Sequence, residues 1–326
     1  MATARMVSLA KHGGAEVIEL IDKELLAPAA GEVQIRQTAV GFNFIDIYQR
    51  SGMYPLELPT GLGHEAAGVV EVVGQGINSF KVGDRVMYIN AGIGAYTSRR
   101  NVSAEKLVHI PEGVSDEVAA AVFFKAMTAQ YLVKKTYKVK AGDVVLVHAA
   151  AGGVGQILAG WAKALGAFVV GTVGSEAKFA AAKAAGCDAV VDYSKPNWVE
   201  EVLKATGGRK ANVVYDSVAK TTFLGSLDCA APFGTVALFG AASGPAPDIN
   251  PEILNKKGCL FLTRPSVFPH NATAALLQEN AKDVFDAIKS GAVKVQIGAK
   301  FPLEQAADAH RAAEARKVSG AIIMIP

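Results

Sequence analysis

Cysteine is scarce in this chain. Three occur in 326 residues, Cys187, Cys229 and Cys259, far apart and each in an apolar segment. An odd, scattered set without a Cys-x-x-Cys pair excludes a disulfide framework and fits a reducing cytoplasm. A dominant charge is missing too: 19% of residues are charged, the net charge is +3, and the two signs are interspersed. No basic stripe with interleaved aromatics is present, so the footprint of a nucleic-acid binder is absent. Arg99-Arg100 and Lys134-Lys135 are isolated pairs expected on solvated surface. No apolar run approaches the ~18 residues of a membrane span. The opening Met1-Ala2-Thr3-Ala4-Arg5 lacks the apolar core of a signal peptide. Internal repeats and low-complexity tracts are absent. What remains is a chain with 51% hydrophobic residues, ample for a core, and a length that suits about two domains. A cytoplasmic protein with no membrane or nucleic-acid partner is expected.

Against that background one stretch stands out: Ala149-Ala150-Ala151-Gly152-Gly153-Val154-Gly155. Before it, Val144-Val145-Leu146-Val147-His148 is β-branched and continuous, the pattern of a buried parallel strand. After it, Ile157, Leu158, Trp161, Ala162 and Leu165 recur at helical spacing. A strand, a glycine turn and a helix form a cradle for a dinucleotide pyrophosphate, because glycines let backbone approach the phosphates and the helix offers free N–H groups. Ala150 takes the first glycine position, with Gly152 and Gly155 as second and third. The context strengthens this imperfect fingerprint.

Strand-like runs continue downstream at 144–148, 167–173, 189–192, 212–216, 234–239 and 259–263, separated by Ala-rich helical segments. Six strands with intervening helices predict an α/β fold, a Rossmann-type doubly wound parallel sheet with its ligand at the strand carboxyl ends. One helix is predicted to open at Lys195-Pro196, with proline in the first turn, and to end near Gly207-Gly208. The first ~125 residues differ: short β-rich runs such as 32–40, 68–73 and 84–89, with frequent Gly and Pro, predict a mostly antiparallel β domain. The expected organisation is 1–125, a substrate and catalytic domain; 126–263, the dinucleotide domain; and 264–326, a segment returning to the first. That tail carries a helix around 273–290, a β segment near 295–301, a helix near 304–315 and a final strand, 321–325.

The end of the second strand discriminates between cofactors. An NAD site places Asp or Glu there, ~20 residues past the turn, on the ribose 2′-OH. Here stand Val173-Gly174-Ser175, then Glu176-Ala177-Lys178. A neutral strand end with a nearby lysine suits a 2′-phosphate, so NADPH is the expected cofactor. Glu176 argues the other way, but falls late, in the first turn of a helix capped by Ser175. Tyr193 is positioned to add a hydroxyl on the same side. Lys178 is alternatively no more than a solvated helix face.

The whole chain resembles the medium-chain dehydrogenase/reductase superfamily, and within it the zinc-independent NADPH:quinone oxidoreductases related to ζ-crystallin. The likeness is carried by Lys11-His12-Gly13-Gly14, Val40-Gly41-Phe42-Asn43-Phe44-Ile45-Asp46-Ile47-Tyr48, Arg50-Ser51-Gly52-Met53-Tyr54, Gly83-Asp84-Arg85-Val86 and Lys125-Ala126-Met127-Thr128-Ala129. Gly142-Asp143-x-x-Leu146 leads into the glycine turn as in the family signature, with Gly160 where a Gln is customary. Tyr215-Asp216-Ser217-Val218 and Thr263-Arg264-Pro265-Ser266 resemble bacterial quinone reductases in particular. The resemblance implies that the antiparallel domain is GroES-like. It implies a cofactor site of Asn43, Tyr131, Gly152, Gly153, Val154, Gly174, Ser175, Lys178, Tyr193, Ser217, Phe239, Gly240, Arg264 and Arg316. Ser217 and Phe239 alternatively only pack at strand ends. A homodimer formed through the cofactor domain is also implied.

Zinc-dependent members of the superfamily carry Cys where this chain has Asn43, followed by a Gly-His-Glu segment preserved here as Gly63-His64-Glu65. Zinc needs about three Cys, His or acidic ligands, and an amide is a poor substitute. No metal is expected; His64 reads as a hydrogen-bonded residue or a remnant near the substrate. Quinone reduction restores an aromatic ring and needs only modest help from hydrogen-bond donors. Asn43 and Tyr48 are the catalytic candidates. Tyr48, with an ordinary pKa near ~10, is either a weak proton donor to the quinone or an aromatic wall. Lys125 reads as a hinge or interface residue, and Asp46 as the holder of the Asn43 loop. The expected activity is NADPH-dependent reduction of a small-molecule quinone without metal or flavin. Reduction of α,β-unsaturated ketones or aldehydes, and a non-catalytic NADPH- or RNA-binding role, are the alternatives.

Overall fold

Apolar patterning of two kinds builds two units. A computed structural model describes residues 2–294, 296–315, 318 and 320–326. One unit comprises Met1–Phe124, Phe268–Phe285 and Val295–Pro326; the other comprises Lys125–Val267 and Asp286–Lys294.

In the first unit, alternating side chains give a sheet with one face on a core. Its strands lie, among the described residues, in the order Ile297–Pro302, Ala321–Ile325, Glu32–Gly41, Glu65–Val73, Arg85–Ile89 and Leu107–His109, with Arg99–Ser103 also paired to Glu32–Gly41. Every pairing is antiparallel except that of Ile297–Pro302 with Ala321–Ile325. Val33, Ile35, Val70, Val86, Tyr88 and Met324 share its core. The final strand runs beside Glu32–Gly41, so the end of the chain completes the sheet its beginning started. This is the GroES-like, mostly antiparallel domain that the family resemblance implies.

In the second unit the strands are buried on both faces and read as continuous apolar runs, as parallel strands covered by helices do. Six strands pair in parallel, in the order Ala189–Asp192, Phe168–Val173, Val144–Val147, Ala211–Asp216, Ala230–Leu238 and Phe261–Thr263. The chain winds outward in one direction from Val144–Val147, then returns beside it and winds the other way. The connections leaving Val144–Val147 and Ala211–Asp216 therefore diverge, which opens a crevice at their carboxyl ends.

Two local expectations shift. The helix predicted to open at Lys195-Pro196 is Trp198–Ala205. Asp192 Oδ1 accepts the Ser194 N–H at 2.9 Å and its hydroxyl at 2.7 Å, so the preceding residues are taken up by a turn, and burial of Trp198 sets the start of the helix. In the tail, residues 286–294 cluster with the second unit, where Val293 is buried. No helix among the described residues is long and apolar enough to cross a membrane.

Candidate functional site

The glycine turn is shaped by close backbone contact. Ala149 adopts φ 51°, in the left-handed region, and Gly152 N–H donates to its carbonyl at 2.8 Å. A Cβ on Gly155 would lie 2.2 Å from that same carbonyl oxygen, so only glycine fits. The turn delivers the chain into the helix Gly153–Ala164, preceded by extended Gly152, with no acidic residue in the first turn and no side-chain cap. Its leading N–H groups and dipole are thus left to an anion. Gln156 Nε2 donates to Ala151 O at 2.7 Å and braces the turn. Lys125 is buried, with its Cδ 3.1 Å from where a Gly153 Cβ would stand. The lysine read as a hinge therefore lays its stem along the phosphate turn.

The neighbouring strand ends gather the other expected cofactor residues. Tyr193 N–H donates to Val173 O at 2.9 Å, and the Tyr193 hydroxyl oxygen is 3.0 Å from the Cβ position of Gly174. Gly174 thus makes room for the phenol. Ser175 precedes the turn Glu176–Lys178, where Lys178 N–H donates to Ser175 O at 3.1 Å. On the other side of the crevice, Ser217 Oγ donates to His148 O at 3.4 Å and Phe239 N–H to Asp216 O at 2.8 Å. A Cβ on Gly240 would meet Ser217 O at 2.6 Å, and Arg264 Nη1 donates to Leu238 O at 2.8 Å. Gly152, Gly153, Val154, Gly174, Ser175, Lys178, Tyr193, Ser217, Phe239, Gly240 and Arg264 all belong to this carboxyl edge of the sheet. Tyr131 ends the helix Asp116–Tyr131 with only 1% exposed, and burial raises its phenol above the ordinary value. Arg316 lies outside the described residues.

Beneath this edge runs a polar chain that sequence reading missed. Asp216 Oδ1 accepts the N–H groups of Val218 and Ala219 at 2.8 and 3.0 Å, and the Thr222 hydroxyl lies 2.9 Å from both carboxylate oxygens. Ser226 Oγ donates to Asp216 Oδ2 at 2.8 Å, and therefore accepts from His148 Nε2–H at 2.9 Å. His148 Nδ1 then accepts from Thr172 Oγ1 at 2.7 Å. Burial lowers the His148 pKa, opposed by Asp216, and keeps the ring neutral in this role. The chain fixes the Ser217–Ala219 bend, where Ala219 has φ 70°. Spacing alone gives no signal for it, since its members come from four separate segments.

In the first unit, Asn43 and Tyr48 lie at and within the helix Phe44–Arg50. Asn43 is 6% exposed; its N–H donates to Asp46 Oδ2 at 2.9 Å and its amide Nδ2 to Glu65 Oε1 at 2.8 Å. Glu65 Oε2 also accepts the Phe124 N–H at 2.7 Å. Asp46 holds the Asn43 loop and accepts from the Tyr96 hydroxyl at 2.9 Å. Behind it, Tyr96, His310, Arg50 and Glu314 continue the network, with Arg50 Nη2 donating to Glu314 Oε1 at 2.6 Å. Burial, reinforced by Arg50, lowers the His310 pKa to about 3. Tyr48 is half-buried, its ring edge-on to Tyr54 at 5.3 Å. His64 Nε2 donates to Gln49 Oε1 at 2.9 Å beside the Phe124 and Phe268 rings; burial, with a smaller contribution from Arg100, lowers its pKa to about 4.

These donors do not suit zinc. Asn43 presents an amide already donating to Glu65, His64 is committed to Gln49, and no three Cys, His, Asp or Glu side chains gather among the described residues. The second unit, by contrast, suits a dinucleotide: a tight turn that admits only glycine at Gly155 leads into a helix whose N-terminus has no side-chain cap and no acidic residue in its first turn.

Fold and site together define a dehydrogenase/reductase with a GroES-like and a dinucleotide-binding domain. Family models agree: residues 29–112 match the alcohol dehydrogenase GroES-like domain and residues 153–290 the zinc-binding dehydrogenase family. A quinone oxidoreductase from Pseudomonas aeruginosa is 45% identical over 99% of this chain and 100% of its own. The crystal structure of Escherichia coli quinone oxidoreductase complexed with NADPH superposes with a TM-score of 0.95 at 44% identity, covering 100% of both chains. A 2-haloacrylate reductase from a Burkholderia species is 42% identical over 97% of each chain. The chain belongs to the quinone oxidoreductase family of the medium-chain dehydrogenase/reductase superfamily.

Proposed function

We propose that this protein is an NADPH-dependent quinone reductase that uses neither metal nor flavin. The observation that carries the reading is the crevice of the second unit, whose glycine turn, bare helix N-terminus and neutral second strand end match a 2′-phosphorylated dinucleotide. The Escherichia coli relative is crystallised with NADPH. When bound, the dinucleotide supplies the reducing equivalents. Gly152, Gly153 and Val154 hold its pyrophosphate; Gly174, Ser175, Lys178, Tyr193 and Arg316 take the adenosine ribose and its phosphate; Tyr131, Ser217, Phe239, Gly240 and Arg264 line the remainder. Asn43 and Tyr48 of the first unit serve the quinone, through the second amide hydrogen of Asn43 and the phenol of Tyr48. A cytoplasmic homodimer is part of the reading. Phe261–Thr263 ends the six-stranded sheet, and Phe261 and Phe233 beside it are 62% and 71% exposed. Reduction of α,β-unsaturated acceptors is the second reading, favoured by the relationship to a 2-haloacrylate reductase.

The test is NADPH oxidation by chelator-treated protein with 1,4-benzoquinone, a larger naphthoquinone and an enone, repeated with NADH. Quinone turnover with NADPH, undiminished by chelation, supports the proposal. Turnover of the enone alone moves the protein to the second reading, and loss on chelation overturns the metal-free site.

A further inference from the structure

Glu176 opens the turn Glu176–Lys178, just past the end of the strand Phe168–Val173, near where a carboxylate selects a free 2′-OH and repels a 2′-phosphate. The structure gives this carboxylate a partner from the next strand end: Lys195 Nζ is 2.7 Å from Glu176 Oε1. The two residues are 19 apart in sequence, so the contact exists only because the strands Phe168–Val173 and Ala189–Asp192 are neighbours. Lys195 is carried there by the Asp192 turn, in which the Lys195 N–H donates to Asp192 O at 3.3 Å. The Asp192 carboxylate itself is buried and accepts from Ser194. The same turn carries Tyr193, whose hydroxyl reaches Gly174.

We propose that Lys195 is a cofactor-specificity residue: by pairing with Glu176 it cancels the carboxylate that would oppose a 2′-phosphate at this strand end. The inference rests on the NADPH reading above. Without Lys195, Glu176 and Lys178 leave this strand end with a local charge near zero. Lys195 adds one positive charge to this edge, offset in part by the nearby Asp192 and Glu201 carboxylates, and so shifts it toward a phosphate monoester of roughly −1.5 to −2 at neutral pH. The side chains of Lys195 and Glu176 are 54% and 72% exposed, so the pair adds little to stability and its electrostatic effect weakens with salt. Its influence falls on a ligand's charge and leaves folding almost untouched. The structure thus pairs the acidic residue that argues for NAD with a cation from the neighbouring strand end.

The test uses full-length protein at low ionic strength, with 2′,5′-ADP and 5′-ADP as probes, which carry the same number of phosphates and differ in where the second one sits. Isothermal titration would compare wild type, Lys195→Ala, Glu176→Gln and the double variant. Lys195→Ala is expected to weaken 2′,5′-ADP about tenfold and 5′-ADP less than twofold. Adding Glu176→Gln to Lys195→Ala should recover most of the loss, and Glu176→Gln alone should leave 2′,5′-ADP binding as tight or tighter. Unchanged melting temperatures would show that the variants fold. Equal losses for both probes, no loss, or no recovery in the double variant would overturn the role of Lys195. A wild-type protein that holds the two probes equally would instead overturn the NADPH reading on which it rests.

Discussion

Gly155 shows how a single residue can be required by geometry. With its Cβ position 2.2 Å from Ala149 O, any side chain must displace the turn that presents the helix N-terminus. Gly155→Ala is expected to cost about 3 kcal/mol, at the upper end of overpacking effects, and to weaken NADPH binding at least tenfold, read by urea unfolding and fluorescence titration. The buried histidines of the first unit set an acid limit. His64 and His310 titrate near 4 and 3 when folded, below the ordinary 6.5, so the unfolded chain binds protons that the folded chain refuses. Stability is unaffected by them above pH 6.5 and falls as pH drops from there toward the folded values. By pH 5 each removes about 2 kcal/mol. Urea unfolding at pH 7 and 5 should show this loss, reduced by about half in His64→Asn; an equal loss in the variant would show that His64 does not contribute.

At the scale of elements, the helix Gly153–Ala164 links the phosphate turn to the packing behind it. Gly160, where relatives are expected to carry Gln, has its Cβ position 3.2 Å from both Ala185 O and Ala292 O. The helix therefore lies unusually close to two backbone segments, and residues 286–294 join the second unit at this contact. Gly160→Gln must push them apart. An expected cost of about 1–3 kcal/mol should lower the melting temperature by several degrees, while the NADPH dissociation constant changes less than twofold because the turn lies two helical turns away. A stabilised variant would mean that the gain in helix propensity outweighs the crowding.

For the molecule as a whole, the open edge of the six-stranded sheet matters most. An exposed strand bearing Phe261, next to Phe233, is costly to leave in water and is a template for pairing with a second copy. Sedimentation is expected to give a dimer for the wild-type chain and a monomer for Phe261→Glu. A wild-type monomer would remove the homodimer from the functional reading.

The amino-acid sequence alone determined the parallel sheet and its cofactor edge. Continuous β-branched runs can only be buried on both faces, and a glycine turn after the first of them has few other uses. Hence the strands expected at 144–148, 189–192 and 212–216 appear at Val144–Val147, Ala189–Asp192 and Ala211–Asp216. Local signals were weaker where tertiary packing competes, as at Pro196, where burial of Trp198 and the Asp192 turn set the helix start. Only the tertiary structure decided the polar contacts. The Thr172–His148–Ser226–Asp216 chain, the commitment of Asn43 to Glu65, and the pairing of Lys195 with Glu176 join residues that no sequence period connects. Apolar burial repeats along a strand or helix and is therefore written in the order of residues, whereas a hydrogen bond or ion pair depends on which strand ends become neighbours.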